Sequence, residues 1–143
     1  MKFLDKASLF FIGLVITASV VFMSLYFFPI TVVKTNVAKY KILTPHVHAG
    51  GEVTYLIDAC KYLDSPGIVS RTFVNDGKWP AMTSNSNMKR GCRKLPVTII
   101  VPNYLPATKY HIDLDVTYQI NRLRAVQYHF ETEDFIVASA SAN

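Results

Sequence analysis

An apolar segment near the start of the chain limits the possible folds more than any other feature. No charged residue occurs between Lys6 and Lys34. A bilayer core about 30 Å thick requires roughly 20 apolar residues in a helix, which rises about 1.5 Å per residue. Residues 8–28 satisfy this length, and we predict that they form a helix in contact with membrane lipid.

A cleaved signal peptide is the alternative interpretation of the same segment. The apolar region of a signal peptide usually spans only about 7–15 residues and ends at small residues. Here the apolar sequence continues well beyond Ala18 and Ser19, which favours an uncleaved anchor. We therefore predict a cytoplasmic stub at 1–7, a single transmembrane helix at 8–30 and an extracytoplasmic domain at 31–143.

The side of the membrane on which the domain lies follows from its cysteines rather than from its charge. Lysines flank the apolar segment on both sides, so the positive-inside rule gives no orientation. Cys60 and Cys92 in a small domain favour a disulfide and an oxidising compartment, periplasmic or extracellular, with two free buried thiols as the alternative. The net charge of +5 is modest and is best explained by solubility.

Beyond the anchor the hydrophobic period changes from helical to two, which is typical of β-strands. The clearest run is Tyr110 to Ile120, where apolar and polar residues alternate without interruption. This pattern, together with the absence of a helical period, predicts an all-β domain built as a sandwich. The other predicted strands lie at 53–60, 95–101 and 126–130, with weaker runs at 36–43 and 68–74.

Two neighbouring runs predict a hairpin whose register is set by their inward faces. A two-residue turn would oppose apolar Val116 to polar Gln127, whereas a three-residue loop at 121–123 opposes apolar residues to one another. The predicted inward pairs are Tyr118–Val126, Val116–Tyr128 and Leu114–Phe130, and the predicted outward pairs are Asp115–His129, Asp113–Glu131 and His111–Glu133.

The segment Tyr104-Leu105-Pro106-Ala107-Thr108-Lys109-Tyr110 resembles the tyrosine corner of fibronectin type III and immunoglobulin-like domains. The resemblance implies an immunoglobulin-like β-sandwich in which the Tyr110 hydroxyl bonds to the preceding backbone and Pro106 and Thr108 shape the corner. This chain departs from antibody domains because its predicted F strand has no cysteine. A bridge between Cys60 and Cys92 would instead join a strand end to a loop. The C-terminal sequence is also faintly similar to uncharacterised anchored bacteriophage proteins.

Two groups of residues are candidates for metal binding. His46 and His48 share one face of an extended segment, but no third ligand is near in sequence and the segment is typical of a turn. The second group lies on the outer face of the predicted hairpin. We expect it to be solvated, because exposed carboxylates lack the desolvation that tunes catalytic groups. Its members are His111, Asp113, Asp115, His129, Glu131 and Glu133, with Asp134 nearby.

The segment 75–94 is predicted to be a long loop without regular structure. Loops of this length are usually functional, and Trp, Met and Arg are enriched at protein interfaces. The alternative is a crossover between sheets in which the tryptophan fills the core. The predicted partner-binding residues are Trp79, Met82, Met88, Lys89, Arg90, Arg93 and Lys94.

These features predict a membrane-anchored, non-enzymatic binding or structural module with an unidentified protein partner. One alternative is an accessory subunit of a membrane assembly that packs through its helix. The other is a metal-dependent enzyme, which the absence of recognisable catalytic motifs disfavours. We expect no cofactor, no small-molecule substrate and no nucleic-acid partner, since the sequence has no repeated aromatic and basic platform.

Overall fold

A computed structural model describes residues 2–139 and divides the chain into two compact units, 1–30 and 31–143. The first unit contains helix α1, Lys2–Phe27. The helix ends two residues before Pro29, which cannot continue a helix. The transmembrane segment predicted at 8–30 stays a prediction, and the helix itself begins before residue 8 and ends before residue 30. Residues 140–143 of the predicted domain lie outside the described residues.

Three hydroxyl side chains of helix α1 form hydrogen bonds within the helix. The hydroxyls of Thr17, Ser19 and Ser24 each donate to a carbonyl four residues earlier, at 2.8 to 3.0 Å. The helix from Lys6 to Phe27 is long and apolar enough to cross a bilayer, with a mean hydropathy of 2.3. A secretory signal sequence passes the same test of length and composition.

The second unit consists of short and long strands in two sheets. The strands are β1 Val33–Thr35, β2 Lys41–Ile42, β3 His46–His48, β4 Glu52–Lys61, β5 Gly67–Val74, β6 Lys78–Pro80, β7 Ser84–Ser86, β8 Gly91–Ile100, β9 Lys109–Asn121, β10 Arg124–Glu131 and β11 Phe135–Ala138. The runs predicted at 53–60, 68–74, 110–120 and 126–130 lie within β4, β5, β9 and β10, and the run at 95–101 coincides with β8 up to Ile100. Of the weaker run at 36–43, only Lys41–Ile42 forms a strand, β2. Strand β11 was not predicted, and β3 replaces the turn expected around His46 and His48.

The first sheet is organised around β4. Strands β1 and β2 pair with successive parts of one edge of β4, and β8 pairs with its other edge along ten residue pairs, all antiparallel. The second sheet is organised around β9, which lies between β5 on one side and β10 followed by β11 on the other. Strands β6 and β7 pair with the outer edge of β5, and β3 runs parallel to β11.

The two sheets meet through their apolar faces. Tyr55 of β4 and Ile112 of β9 have no solvent exposure, and neither has Phe73 of β5. Each such aromatic or aliphatic side chain contributes about 1.5–3 kcal/mol when it is fully buried. A hydrogen bond from Arg71 Nε to the Tyr55 hydroxyl, 2.9 Å long, also joins β5 to β4.

The hairpin register predicted from the inward faces is confirmed. Tyr118 pairs with Val126, and Asp115 pairs with His129. The turn itself differs from the prediction: only residues 122–123 form it, and a bulge in β9 restores the predicted register. The predicted His111–Glu133 pair is wrong, because the ladder ends at Asp113–Glu131. The Glu133 carboxylate instead accepts a 3.2 Å hydrogen bond from the backbone N–H of Ile42.

The prediction of a structureless segment at 75–94 is wrong. Strands β6 and β7 lie within it, both paired to β5, and β8 begins at Gly91 rather than near residue 95. The backbone of this segment therefore forms hydrogen bonds with the edge of β5 that does not face β9. Its Ser-Asn-Ser strand has no apolar alternation, so periodicity gave no signal for it.

The cysteines form a disulfide, and its location differs from the expected strand-to-loop bridge. Cys60 and Cys92 are direct partners in the ladder between β4 and β8, with Cα atoms 3.9 Å apart. The bond therefore ties two neighbouring strands of the first sheet. At the predicted corner, the Tyr110 hydroxyl donates a 3.0 Å hydrogen bond to the Pro106 carbonyl.

Candidate functional site

An open cleft of about 700 Å³ lies between strand β8 of the first sheet and strands β5 and β7 of the second. One wall is apolar and comes from β8. The facing wall comes from the 81–88 segment and is largely polar, with the short side chains of Ser84, Asn85 and Ser86. The cleft therefore presents an apolar strip opposite a row of hydroxyl and amide groups.

The apolar wall exists because the inward face of β8 is incompletely covered. Leu95, Val97 and Ile99 alternate along β8 and remain partly exposed, whereas Val53 and Tyr55 on the paired strand β4 are fully buried. The difference arises because β7, on the opposite sheet, is short and carries small polar side chains. No apolar layer from β7 closes over this end of β8.

Among the described residues, β8 pairs with β4 alone, so the other backbone edge of β8 is open. The Thr54 and Asp58 carbonyls on β4 accept hydrogen bonds from the backbone N–H groups of Leu43 and Asn36. The even-numbered residues of β4 therefore direct their backbone groups away from β8. The even-numbered residues of β8 therefore direct their backbone groups to the open side. Pro96 occupies one of these positions, where it removes no ladder bond and interrupts the exposed edge, as proline does on edge strands.

Arg71 lines the cleft and is a buried cation. Its side chain is only 8% exposed, and its guanidinium donates to the Tyr55 hydroxyl at 2.9 Å and to Ser84 Oγ at 2.7 Å. These bonds use two of the five guanidinium N–H donors. Among the side chains that the structure describes, those of residues 6–139, no carboxylate lies within 4.0 Å of this group. Burial raises the pKa of Tyr55, so the phenol supplies no negative charge near neutral pH.

A buried positive charge without an anionic partner is unfavourable and therefore rare. The sequence pattern indicated that Arg71 faces inward, although Arg71 was not predicted as a functional residue. Arg71 lies on the inward face of β5, in phase with buried Val69 and Phe73. A basic residue at such a position indicates either a buried ion pair or a ligand site.

Lys61 fixes the far end of the 75–94 segment. Its ammonium donates to the carbonyls of Ser65 and Met88 at 2.8 and 2.9 Å, and it lies 5.1 Å from the centre of the Tyr118 ring. Desolvation is the main cause that lowers the pKa of Lys61. This buried lysine was not predicted as a functional residue.

The structure separates the predicted partner-binding residues into three places. Met82, 83% exposed, and Met88 line the cleft. The basic residues Lys89, Arg90, Arg93 and Lys94 are exposed at the start of β8, where Lys94 pairs with Asp58 at 3.1 Å.

Trp79 lies apart from the cleft. It is on β6 and packs edge-on against Tyr110, with ring centres 5.5 Å apart. Gly77 makes room for the indole, because a Cβ there would come within 2.7 Å of the ring. The tryptophan thus covers the corner at the start of β9.

The histidines predicted as weak metal candidates lie on β3. His46 and His48 are both exposed there. Among the described residues, the ligand side chains that lie close enough together to hold a metal ion are those of Asp113, His129 and Glu131, which are not on β3.

Comparison with known proteins identifies the fold alone. No family model matches the chain, and no curated protein matches it in sequence. Among solved structures, the chain is similar to a crystal structure of the C-terminal domain of wzt, with a TM-score of 0.51 and 11% identity. The match covers 80% of this chain and 77% of that one.

Proposed function

We propose that this protein is a membrane-anchored binding module whose cleft holds an acidic, extended segment of a protein partner. Helix α1 contains an uncleaved anchor in this proposal, with residues 1–7 in the cytoplasm. The β domain lies outside the cytoplasm. The Cys60–Cys92 disulfide supports this sidedness, because structural disulfides persist in oxidising compartments.

The proposal includes an immunoglobulin-like sandwich. One sheet contains β1 and β2, then β4, then β8. The other contains β6 and β7, then β5, then β9, then β10 with β11, and β3 at its edge. The two packed sheets and the Tyr110–Pro106 hydrogen bond support this part of the proposal.

The observation that carries the binding proposal is the buried, anion-free guanidinium of Arg71 in a cleft with one apolar wall. A carboxylate is the natural partner for an arginine, because the planar guanidinium matches its geometry. The exposed basic residues Lys89, Arg90 and Arg93 extend the positive charge beyond the cleft. A segment that alternates acidic and apolar side chains would place the carboxylates on this charge and the apolar groups on β8.

The packing alternative, an accessory subunit held through α1, has less support. The hydroxyls of Thr17, Ser19 and Ser24 bond within the helix, so none of these three requires a neighbouring helix as a partner. The cleft, in contrast, contains a charge that the described residues leave without an anion.

Peptide binding to the full chain in zwitterionic nanodiscs tests the proposal. The probe is a fluorescein-labelled eight-residue peptide that alternates Val and Glu, and the comparison peptide alternates Val and Lys. We expect the acidic peptide alone to bind saturably. Arg71→Gln should weaken its binding at least about tenfold, since hydrogen bonds to charged groups contribute about 1.5–3 kcal/mol.

Two further variants keep this experiment interpretable. Arg122→Gln removes an exposed charge from the β9–β10 turn and should leave affinity unchanged. Arg71→Lys retains the charge and should bind more tightly than Arg71→Gln. Equal binding of the two peptides, or undiminished binding by a folded Arg71→Gln variant, would refute the proposed ligand class.

A further inference from the structure

The outer face of the β9–β10 hairpin contains a second cluster of polar side chains, near the start of β9. One ligand atom each from Asp113, His129 and Glu131 lies within 4.8 Å of the other two. His129 Nε2 is 3.9 Å from Asp113 Oδ1 and 3.8 Å from Glu131 Oε1. The confirmed register creates this cluster, because Asp113 pairs with Glu131 and His129 is two residues away on the same face.

The hydrogen bonds of His129 direct one ring nitrogen into this cluster. Nδ1 lies 3.0 Å from Asp115 Oδ1, which accepts a hydrogen bond from a protonated Nδ1. In the neutral ring, Nε2 then carries a lone pair and faces two carboxylate oxygens. Three acceptor atoms therefore converge on one point. A carboxylate that holds the far nitrogen is the usual arrangement behind a metal-bound histidine.

Asp113 supplies an independent observation. Its Oδ1 atom is buried and has no hydrogen-bond partner, and the side chain as a whole is only 15% exposed. A buried oxygen of an ionised carboxylate without a donor is unfavourable. This oxygen is also the atom that faces His129 Nε2, so a cation placed between them would satisfy it.

The surrounding charges leave the inner oxygens available. Lys39 Nζ pairs with Glu131 through Oε2, at 3.0 Å, and leaves Oε1 on the side of His129. His111 Nε2 lies 3.4 Å from Asp113 Oδ1 and flanks the cluster. Asp134 is bonded to Lys109 at 2.8 Å and lies on the far side of His111, 3.8 Å from its Nδ1.

We propose that Asp113, His129 and Glu131 bind a divalent transition-metal ion of the Zn²⁺ class, with His111 as a fourth ligand. One or two imidazole nitrogens with carboxylate oxygens form a donor set suited to Zn²⁺, whereas Ca²⁺ takes oxygen ligands. Asp115 is a positioning residue that orients the His129 ring. The bound ion would cross-link β9 and β10 and would stabilise the folded domain by linkage.

Calorimetric titration of the full chain in zwitterionic nanodiscs, freed of metal with EDTA and dialysed, tests this site with ZnCl2 as the probe. We expect one Zn²⁺ per chain, and binding to CaCl2 at least about tenfold weaker. Asp113→Asn and His129→Gln should each lower Zn²⁺ affinity at least tenfold. Asp115→Asn should lower it about tenfold or more, the usual effect of removing an orienting carboxylate.

His48→Gln is the matched control, because it removes an exposed histidine from β3 and should leave Zn²⁺ binding unchanged. The melting temperature supplies a second readout: Zn²⁺ should raise it in the wild type and in His48→Gln, but not in His129→Gln. No saturable Zn²⁺ binding, or binding lost in His48→Gln and retained in a folded His129→Gln variant, would overturn the proposal.

Discussion

Strands β8 and β9 have the same alternation of apolar and polar residues, but only β9 is covered. The inward residues of β9, from Tyr110 to Tyr118, are all buried, whereas Leu95, Val97 and Ile99 of β8 are partly exposed. Strand β9 has neighbours on both edges, and β8 has one on a single edge. Periodicity therefore identifies the face of a strand that points inward, while the elements packed opposite determine whether that face is covered.

Two leucine-to-alanine variants, one on each strand, should show this difference most clearly in the free energy of unfolding. Leu114→Ala on β9, at a side chain only 2% exposed, should lower the free energy of unfolding by about 3–5 kcal/mol. Leu95→Ala on β8 should cost less than half as much, because Leu95 already faces the cleft. Urea unfolding followed by Trp79 fluorescence measures both. Equal losses would mean that the cleft is closed in solution.

Removal of the disulfide tests how much this bond contributes to holding β8, whose inward face is partly exposed. The bond joins residues 32 positions apart, and the chain-entropy model assigns such a loop about 3–4 kcal/mol of stability. The double variant Cys60→Ala, Cys92→Ala should lose about this amount in thermal or urea unfolding. A loss below about 1 kcal/mol would show that the ladder between β4 and β8 is sufficient.

The corner at the start of β9 should give a smaller effect. Tyr110→Phe removes the hydrogen bond to the Pro106 carbonyl and should cost about 1 kcal/mol, the usual net value of such a bond. Tyr104→Phe is the control, because Tyr104 is exposed and its hydroxyl lies 3.4 Å from the Pro80 carbonyl. Identical melting temperatures for the two variants would argue against a structural role for the corner.

The smallest effect concerns His129 on the outer face of the hairpin. The hydrogen bond to Asp115 is the main cause that raises the pKa of His129 above its usual value near 6.5. Protonated His129 therefore stabilises the fold fully below about pH 6.5, and this contribution disappears as pH rises through the raised folded-state pKa. In EDTA, Asp115→Asn should lower the pKa measured by NMR. An unchanged titration would contradict the observed pairing.

Sequence reasoning reached the faces and the register of the long strands. It reached them because side chains on a strand alternate with a period of two and because inward residues must oppose one another. It did not find β7, whose Ser-Asn-Ser sequence has no alternation, or β11, which is only four residues long. These elements form because a neighbouring strand offers unpaired backbone groups.

Only part of the candidate site could be predicted from the sequence. Met82 and Met88 were predicted as binding residues and line the cleft, but Arg71 was not singled out. Its position in phase with Val69 and Phe73 marked it as inward-facing. The absence of a carboxylate beside it depends on every other element that packs there, so no local pattern contains that information.

The apolar helix, the β character of the rest and the hairpin register could be predicted from the sequence, since each depends on residues close together in the chain. The pairing of Cys60 with Cys92, the partial exposure of β8 and the burial of Arg71 without an anion from the described residues depend on the tertiary structure. These features arise from contacts between residues distant in sequence. Local periodicity specifies the face of the strand on which a side chain lies, but not the residues that the side chain contacts.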